Sequence, residues 1–574
     1  MTLLQSHSNF TIASLKEQYA NNKLTPLQVM ETIIEQAEQE ENYNIWITKP
    51  TKELVLPYIE ALQEKDKSLP LWGIPFAIKD NIDVAGMPTT AGCEAFTYTP
   101  EKHAFVVKCL IDAGAIPIGK TNLDQFATGL VGTRSPYGVC KNAINPELIS
   151  GGSSSGSAVA VARGQVCFAL GTDTAGSGRV PAALNGLIGF KPSLGAWSNN
   201  GVVPACESLD CVTVLANVYE DALLVDTIVR GMDEQNSWSQ NRALQPLRLP
   251  KKVIFLKQEP TFFGEFEQVF ENAWEAAKAQ IQQLNIPIEY IDGDYLQKAA
   301  LMLYEGPFVA ERWAALAEFV QKHPEATNPV VEKILRRAEK QEYTATALYQ
   351  AQHQLQQYKA KVQQDLRDAV LIMPTVGGTW RIVEVEKNPI ETNSQLGLYT
   401  NHCNLLDLCA VNIPVKAPQP FGITLFALGG EDHLLHALSS YYLQGAVPTS
   451  QKTTKLAVCG LHLKGYPLER QMLEFGAVYV ETTNTAAVYR LLKLTGDTAR
   501  PGLVYNEQHG AEIEVDIWEM ADEQLARFLH VVKAPLALGK ITLKNDEEVL
   551  GFVCAASAYE YEDITASGGW RYAT

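Results

Sequence analysis

The sequence has 574 residues, of which 46% are hydrophobic and 20% are charged, and its formal net charge is −18. This length exceeds what one hydrophobic core can hold, so we expect two or three domains. The composition is that of a globular protein, and the negative charge argues against nucleic acid or an anionic membrane as the main partner.

The ten cysteines show no C-x-x-C pair and no metal-ligand spacing. Cys206, Cys211, Cys403 and Cys409 lie in apolar surroundings, so we expect buried free thiols. The N-terminal segment has no basic stretch followed by an apolar run, and no stretch of about 18 apolar residues occurs. We therefore expect no signal peptide, no membrane span and a cytoplasmic location.

The first part of the chain predicts an α/β domain. An amphipathic helix begins after Thr25, which forms a capping box with Gln28. LWGIPFAIKDN predicts a buried strand running into a turn that carries Lys79. KCLIDAGAIPIGKTNLDQFATG then predicts a helix ending at Gly114, a strand and a further helix. This alternation is typical of a largely parallel sheet covered by helices.

The later part of the chain changes character twice. Residues 258–370 are charged and helix-rich, and AVLIMPTVGG then predicts a buried strand. Near residue 447 the polar segment VPTSQKTTK is typical of a linker. Several strand-like segments and one helix follow it. We assign residues 1–446 to a first domain, 447–455 to the linker and 456–574 to a smaller α+β domain.

Residues 151–186, GGSSSGSAVAVARGQVCFALGTDTAGSGRVPAALNG, place serines among glycines twice. A serine hydroxyl needs a base and an oxyanion hole to act as a nucleophile. Lys79 follows an apolar strand, and burial would lower its pKa enough for it to be that base. These residues favour a Ser/Lys amide or ester hydrolase. On composition alone, such a loop is more often a turn or an anion cradle.

Two histidines in EDHLLH, His433 and His436, have the i, i+3 spacing of residues on one helix face. No third ligand is evident, so we expect helix residues rather than metal ligands. The sequence predicts neither a metal nor a cofactor.

The stretch GGSSSGSAVAVARG…ALGTDTAGSGRVPAALNGLIGFKPS resembles the signature of the amidase signature family, and the resemblance covers about residues 10–445. It implies an amidase signature fold with a mixed, mainly parallel central sheet covered by helices. It also implies a Ser–Ser–Lys triad in which the middle serine lies in a cis peptide. Matched by position, Lys79 is the base, Ser153 the cis serine and Ser177 the nucleophile.

The same resemblance implies the surroundings of the triad. Asp173 and Arg179 would brace the site, with a purely structural ion pair as the open alternative. The expected oxyanion hole consists of backbone N–H groups, those of Thr174, Ala175, Gly176 and Ser177.

Essentially the whole chain resembles the allophanate hydrolase branch of this family. The features are Ala175 and Gly178, the segment LYEGPFVAERW and a C-terminal region beginning CGLHLKGYPLERQ. This likeness implies hydrolysis of allophanate, a small amide bearing a carboxylate. Tyr304 and Arg312 match the substrate-binding pair, and eight helical residues would place them two turns apart. Without the resemblance, Arg312 is better explained as a solvated helix charge.

The C-terminal region is implied to assist the decarboxylation of N-carboxycarbamate. His462 in GLHLKG matches the histidine expected at that second site, because imidazole titrates near neutrality. A satisfied polar residue beside a strand is the alternative. His509 is expected to be an exposed loop residue.

The resemblance further implies a homodimer that acts after urea carboxylase in urea breakdown. Three alternatives stay open. The chain could be another amidase acting on a small carboxylate-bearing amide, or the amidotransferase component that acts on misacylated tRNA. Either would share Lys79, Ser153 and Ser177 but not Arg312, and the acidic charge opposes a tRNA substrate. The C-terminal domain could also serve assembly without catalysis.

Overall fold

The computed structural model describes residues 10–446, 453–495, 499–554 and 561–573. The chain divides into two compact units. The first unit contains Met1–Gln240 and Leu249–Ala446, and the second contains Asn241–Arg248 and Val447–Thr574. Of the expected linker, residues 447–452 lie outside the described residues, and residues 453–455 begin a strand.

Within residues 10–446, the first unit is built on one sheet of eleven strands in the order β1-β3-β2-β4-β6-β5-β10-β11-β9-β7-β8. Several of its strands are wholly buried because helices cover them. The strands are β1 (Trp46–Thr48), β2 (Pro75–Lys79), β3 (Ile116–Thr121), β4 (Phe168–Thr172), β5 (Ile188–Lys191), β6 (Val212–Ala216), β7 (Lys252–Leu256), β8 (Ile288–Ile291), β9 (Ala369–Pro374), β10 (Leu408–Val415) and β11 (Phe421–Leu428).

The α/β class and the mixed central sheet are confirmed. Parallel pairs lie on the two flanks, where β3, β2 and β4 form one run and β9, β7 and β8 form another. The centre is antiparallel. The expectation of mainly parallel pairing therefore holds only on the flanks. In the centre, β10 and β11 form a hairpin joined by a short connection, which makes that pair antiparallel.

Among the residues that the structure describes, the first unit has sixteen α-helices, and several of them cover this sheet. The predicted capping box of Thr25 and Gln28 is confirmed at the start of the second helix. The helices are α1 (Ile12–Ala20), α2 (Pro26–Gln39), α3 (Lys52–Ala61), α4 (Phe105–Asp112), α5 (Ser155–Ala162), α6 (Arg179–Leu184), α7 (Tyr219–Val229), α8 (Glu267–Gln282), α9 (Asp294–Glu305), α10 (Val309–Lys322), α11 (Pro329–Leu335), α12 (Ala345–Asp365), α13 (Ile382–Lys387), α14 (Glu391–Leu396), α15 (His402–Leu405) and α16 (Asp432–Gln444).

The further helix expected after β3 is wrong. Only a single 3₁₀ turn, Gln125–Ala127, forms there. Its backbone donors are directed elsewhere, since Gln125 N–H bonds the carbonyl of Arg134 and Phe126 N–H bonds that of Ala91. The Asp124 carboxylate accepts from further backbone N–H groups and holds the chain as a loop.

The second unit is α+β, as expected. It has a five-stranded sheet in the order β13-β16-β12-β18-β17 and a three-stranded sheet in the order β15-β14-β19. Its elements are β12 (Thr453–Val458), α17 (Glu469–Glu474), β13 (Val478–Asn484), β14 (Tyr489–Leu494), β15 (Arg500–Tyr505), β16 (Glu514–Ala521), α18 (Asp522–Leu529), β17 (Leu536–Thr542), β18 (Glu548–Cys554) and β19 (Glu562–Asp563). Among the described residues, no helix is long and apolar enough to cross a membrane.

Candidate active site

Lys79 lies at the carboxyl end of β2, directly beside the end of the neighbouring parallel strand β4. Its Nζ is 2.7 Å from the Ser153 Oγ and 2.7 Å from the Thr172 Oγ1. The parallel pairing explains the second contact, because β2 and β4 end at the same edge of the sheet.

The Lys79 side chain is wholly buried. Burial lowers its pKa to about 7, against the opposing effect of Asp124, Asp210 and Asp173. Both hydrogen-bond partners of the amine are neutral hydroxyl groups. A substantial share of Lys79 is therefore a neutral amine at neutral pH, as a base requires.

Ser153 is held by an unusual backbone. The peptide bond between Gly152 and Ser153 is cis, as the resemblance implies. The Ser153 carbonyl accepts from Asp124 N–H at 3.2 Å, and Ser154 N–H donates to the Ser177 carbonyl at 3.2 Å. The two glycine–serine clusters of the sequence therefore meet in space.

Ser177 lies in the loop between β4 and α6 and is 4% exposed. Its Oγ donates to the Gly129 carbonyl across 3.4 Å. The preceding residue, Gly176, has φ +125°, and a Cβ there would lie 2.3 Å from Thr400 Oγ1. Only glycine fits both restrictions.

Asp173 organises this loop. Its carboxylate accepts from the backbone N–H groups of Gly176, Gly178 and Arg179. The Arg179 guanidinium binds the same carboxylate at 2.8 and 2.9 Å, and both side chains are fully buried. Burial alone would raise the pKa of Asp173, but Arg179 outweighs it and keeps that pKa low.

The expected oxyanion hole is only partly available. The N–H of Gly176 is bound to Asp173 Oδ1 at 2.6 Å. Within the described part of the chain, the N–H groups of Thr174, Ala175 and Ser177 have no hydrogen-bond acceptor. These three remain candidates for binding a substrate oxygen.

Tyr304 and Arg312 are brought together, with Arg312 Nη2 3.2 Å from the Tyr304 hydroxyl. They do not share one helix, however, because α9 ends before Gly306 and α10 begins at Val309. Pro307 accounts for the break, since it disfavours helical backbone in the residue before it.

A cavity of about 170 Å³ comes near Ser177 at Gly129, although Ser177 itself is not among its lining residues. Its lining includes Tyr304, Thr128 and Gly129, whose carbonyl accepts from Ser177. Arg312 is 1% exposed and does not line the cavity itself. It reaches the cavity wall through the Tyr304 hydroxyl and through Thr128 Oγ1, 3.2 Å from its Nη1.

His462 lines a cavity of about 550 Å³ in the second unit, together with Arg500 and Lys533. Its Nε2 is 2.7 Å from Gln471 Oε1, and burial lowers its pKa. His509 is exposed in a turn, as expected.

The two histidines of EDHLLH lie buried on α16. The His436 Nε2 is 2.9 Å from Asp226, and its other ring nitrogen contacts the Tyr219 hydroxyl. The cysteines singled out by sequence, Cys206, Cys211, Cys403 and Cys409, are buried free thiols.

Two residues near the triad could not be recognised in the sequence. The Thr172 hydroxyl is the second hydrogen-bond partner of the Lys79 amine, beside Ser153. The Asp210 carboxylate accepts from the Thr174 hydroxyl. The parallel pairing of β2 and β4 could have pointed to Thr172, which ends β4 in the quoted stretch. Asp210 follows an irregular loop and carries no comparable signal.

Comparisons with known proteins identify the family of this chain. Residues 28–435 match the family model described as Amidase. The chain belongs to the amidase family. Residues 454–574 match a second model, described as the allophanate hydrolase C-terminal domain. The amidase match spans the triad, and the second match covers the cavity that contains His462.

Individual relatives of this amidase differ in how much of it they cover. A solved allophanate hydrolase from Kluyveromyces lactis is 35% identical, covers 99% of both chains and has a TM-score of 0.74. The urea amidolyase of Saccharomyces cerevisiae is 38% identical over 95% of this chain, which spans 32% of that protein. The chain thus spans about a third of the length of the curated urea amidolyases. A glutamyl-tRNA(Gln) amidotransferase component from Methanosarcina acetivorans is 34% identical over 62% of this chain and 79% of its own.

Proposed function

We propose that this amidase is an allophanate hydrolase that cleaves its substrate through a Ser–Ser–Lys acyl-enzyme mechanism. The observation that carries the mechanism is the buried Lys79 amine bonded to Ser153, beside Ser177. The likeness to the K. lactis allophanate hydrolase over 99% of both chains supports the substrate.

In the first step, the Ser177 Oγ attacks the carbonyl carbon of the amide. The Ser177 proton passes to the Ser153 hydroxyl as the Ser153 proton passes to neutral Lys79. For this transfer, the Ser177 hydroxyl turns from the Gly129 carbonyl toward Ser153. Such tightening on substrate binding is common, because catalytic hydrogen bonds are often long in unliganded enzymes.

The tetrahedral intermediate places a negative charge on the former carbonyl oxygen. The N–H groups of Thr174, Ala175 and Ser177 stabilise this charge, whereas the N–H of Gly176 is already bound to Asp173. The intermediate collapses when protonated Lys79 returns a proton through Ser153 to the leaving nitrogen, which departs as ammonia. Water then attacks the acyl-Ser177 ester, frees the serine and yields N-carboxycarbamate.

The substrate carboxylate is bound at the cavity beside Ser177. Tyr304 offers its hydroxyl on the cavity wall, and Arg312 supplies a buried positive charge behind it. A guanidinium is well suited to a carboxylate because its N–H groups match the two oxygens.

The second unit assists the decarboxylation of N-carboxycarbamate, which yields carbon dioxide and carbamate. Loss of carbon dioxide leaves the carbamate nitrogen in need of a proton. Burial lowers the pKa of His462, so its mainly neutral imidazole can take a proton from water and relay it to that nitrogen. Arg500 and Lys533 line the same cavity, and their charges suit an anionic reactant. No cofactor or metal takes part in either proposed step.

The proposed setting is the cytoplasm, where this enzyme acts as a homodimer on the product of urea carboxylase. The likeness to urea amidolyase supports this place in urea breakdown. The net charge of −18 opposes nucleic acid as a partner.

Another amidase activity on a small carboxylate-bearing amide is the alternative, with the second unit serving assembly. The match to the tRNA amidotransferase component covers only 62% of this chain, whereas the match to the K. lactis allophanate hydrolase covers 99% of it. That coverage favours the allophanate proposal.

The test is ammonia release from allophanate, with acetamide as the uncharged comparison substrate. The wild type is expected to prefer allophanate, and Ser177→Ala is expected to lose activity by about ten-thousandfold or more. Arg312→Ala should lose mainly the activity toward allophanate. If acetamide is the better substrate, or Arg312→Ala cleaves allophanate normally, the substrate proposal is wrong while the Ser–Ser–Lys mechanism stands.

A further inference from the structure

The cavity beside Ser177 carries positive charge of its own. Arg134 and Arg337 both line it, together with the acidic residue Glu305. Arg337 and Glu305 reach solvent, but Arg134 is only 2% exposed. Arg134 is therefore the buried charged residue in the lining of this cavity.

Arg134 is fixed in place by backbone oxygen atoms alone. Its Nη1 donates to the Thr128 carbonyl at 3.0 Å and its Nη2 donates to the Pro389 carbonyl at 2.7 Å. Its Nε has no hydrogen-bond partner, and burial lowers its pKa. The guanidinium is thus oriented by neutral groups while its Nε–H remains unpaired.

Arg312 is in the same situation on the other side of Thr128. It donates to the Thr128 hydroxyl and to the Tyr304 hydroxyl, and its Nε also lacks a partner. Two buried guanidinium groups therefore meet at one threonine, and within the described residues neither forms an ion pair with a carboxylate.

Other buried arginines of the first unit are paired. Arg179 binds Asp173, and Arg230 binds Asp226 and Asp432. Leaving a buried charge without a counterion is costly, so charged groups in protein interiors are normally paired. Carboxylates act on these two guanidinium groups only from farther away, Asp124 on Arg134, and Asp210 and Glu311 on Arg312. A ligand carboxylate in the cavity would therefore be the first direct counterion of Arg134.

We propose that Arg134 is a substrate-binding residue that selects a carboxylate-bearing amide. Arg134 lines the small cavity, and its unpartnered Nε–H donates to the carboxylate, while Arg312 adds positive charge from behind Tyr304 and Thr128. This inference rests on the proposed function in one respect, that the reacting amide lies at Ser177. The proposal adds Arg134 to the residues that determine specificity. The carboxylate of the substrate would then be bound through two arginines, Arg134 and Arg312.

The competing explanation is structural, because Arg134 also joins Thr128 to Pro389. Loss of that tie would disturb charged and uncharged ligands alike. Loss of a carboxylate contact would weaken only the charged one. A matched pair of ligands separates the two explanations: malonamate, in which a methylene replaces one N–H of allophanate, and malonamide, its uncharged amide.

The experiment measures binding of both ligands by calorimetry to the full chain carrying Ser177→Ala, which prevents turnover. Adding Arg134→Gln should raise the Kd of malonamate about tenfold or more, as expected for a lost hydrogen bond to a charged group. The Kd of malonamide should change less than about twofold. Arg336→Gln is the matched control, and it should have little effect because Arg336 does not line the cavity and is paired with Glu332 and Glu339 near the surface.

Unchanged malonamate binding in Arg134→Gln overturns the proposal, and so does an equal loss for both ligands. The proposal is also overturned if the folded Ser177→Ala chain does not bind malonamate. If Arg134→Gln does not fold, Arg134→Lys decides. Its ammonium lacks the Nε–H, so a several-fold loss of malonamate affinity is expected and an unchanged value contradicts the proposal. Wild type that binds malonamate through Arg134 yet releases no ammonia from allophanate would refute the proposed function and leave the anion site intact.

Discussion

Two lysines, Lys79 and Lys120, lie near the ends of neighbouring parallel strands, and both are fully buried. The Lys120 Nζ is 3.3 Å from the Asp80 carboxylate and 2.9 Å from the Thr89 hydroxyl. The Lys79 Nζ instead contacts two hydroxyl groups, those of Ser153 and Thr172. Burial is equal at the two sites, and the chemistry of the partners differs.

This difference separates a structural cation from a base. Burial lowers the pKa of Lys120 as well, but Asp80 acts against it at short range. For Lys79 the opposing carboxylates are not direct partners, and its pKa falls to about 7. A neutral amine next to a hydroxyl can accept its proton, whereas an ammonium in an ion pair cannot.

The segment around Lys120 shows how a motif can mislead. Residues 114–121, GAIPIGKT, have the residue spacing of a phosphate-binding P-loop. A P-loop requires a glycine-rich loop between a strand and a helix. Here residues 116–121 form β3 itself, and Lys120 is bound to Asp80. In this chain the pattern therefore corresponds to a buried strand and an ion pair, not to a phosphate-binding loop.

The largest expected effect is that of Lys79→Met. Without the base, kcat for ammonia release from allophanate should fall about ten-thousandfold. The midpoint of thermal unfolding should stay the same or rise, since the substitution breaks no ion pair. A variant that keeps a tenth of the wild-type rate would show that Lys79 is not the base.

Lys120→Met should show the opposite pattern. It leaves Asp80 buried without its cation, which is expected to destabilise the chain by about 3 kcal/mol or more. Urea unfolding measures this loss, and the rate per folded molecule should change little. Adding Asp80→Asn should restore part of the stability. If Lys120→Met left the free energy of unfolding unchanged, the assignment of Lys120 as a structural cation would be wrong.

A smaller effect is expected at the second site. His462→Ala should release the first ammonia from allophanate at the wild-type rate, within about twofold. Carbon-13 NMR should then show N-carboxycarbamate accumulating severalfold, because a positioned proton donor or acceptor has been lost. His509→Ala is the matched control, since His509 is exposed. Equal intermediate levels in the two variants would favour an assembly role for the second unit.

The central part of the site could be predicted from the sequence. Ser153 and Ser177 belong to a long signature, and Lys79 matches the base of the same family by its position. In the structure, Lys79 contacts Ser153, and Ser154 N–H donates to the Ser177 carbonyl. The capping box at Thr25 was predictable because it depends on residues three positions apart. The α/β alternation likewise indicated the fold class.

Other features depend on contacts that no local pattern encodes. The N–H of Gly176 is taken by Asp173, which removes one expected oxyanion donor. The role of Arg134 could not be predicted, because its guanidinium is held beside Thr128 by the carbonyl of Pro389, which lies 255 residues away along the chain. The break between α9 and α10 differs in this respect, because the Gly306–Pro307 pair was a readable helix breaker.

The most direct test of the account is the pH dependence of kcat/KM for ammonia release from allophanate by the wild-type chain. The active form carries neutral Lys79, whose pKa is about 7. The value should therefore fall about tenfold per pH unit below this pKa and level off above it. A profile that stays flat well below neutral pH, or that falls as pH rises through 7, would contradict a neutral lysine base.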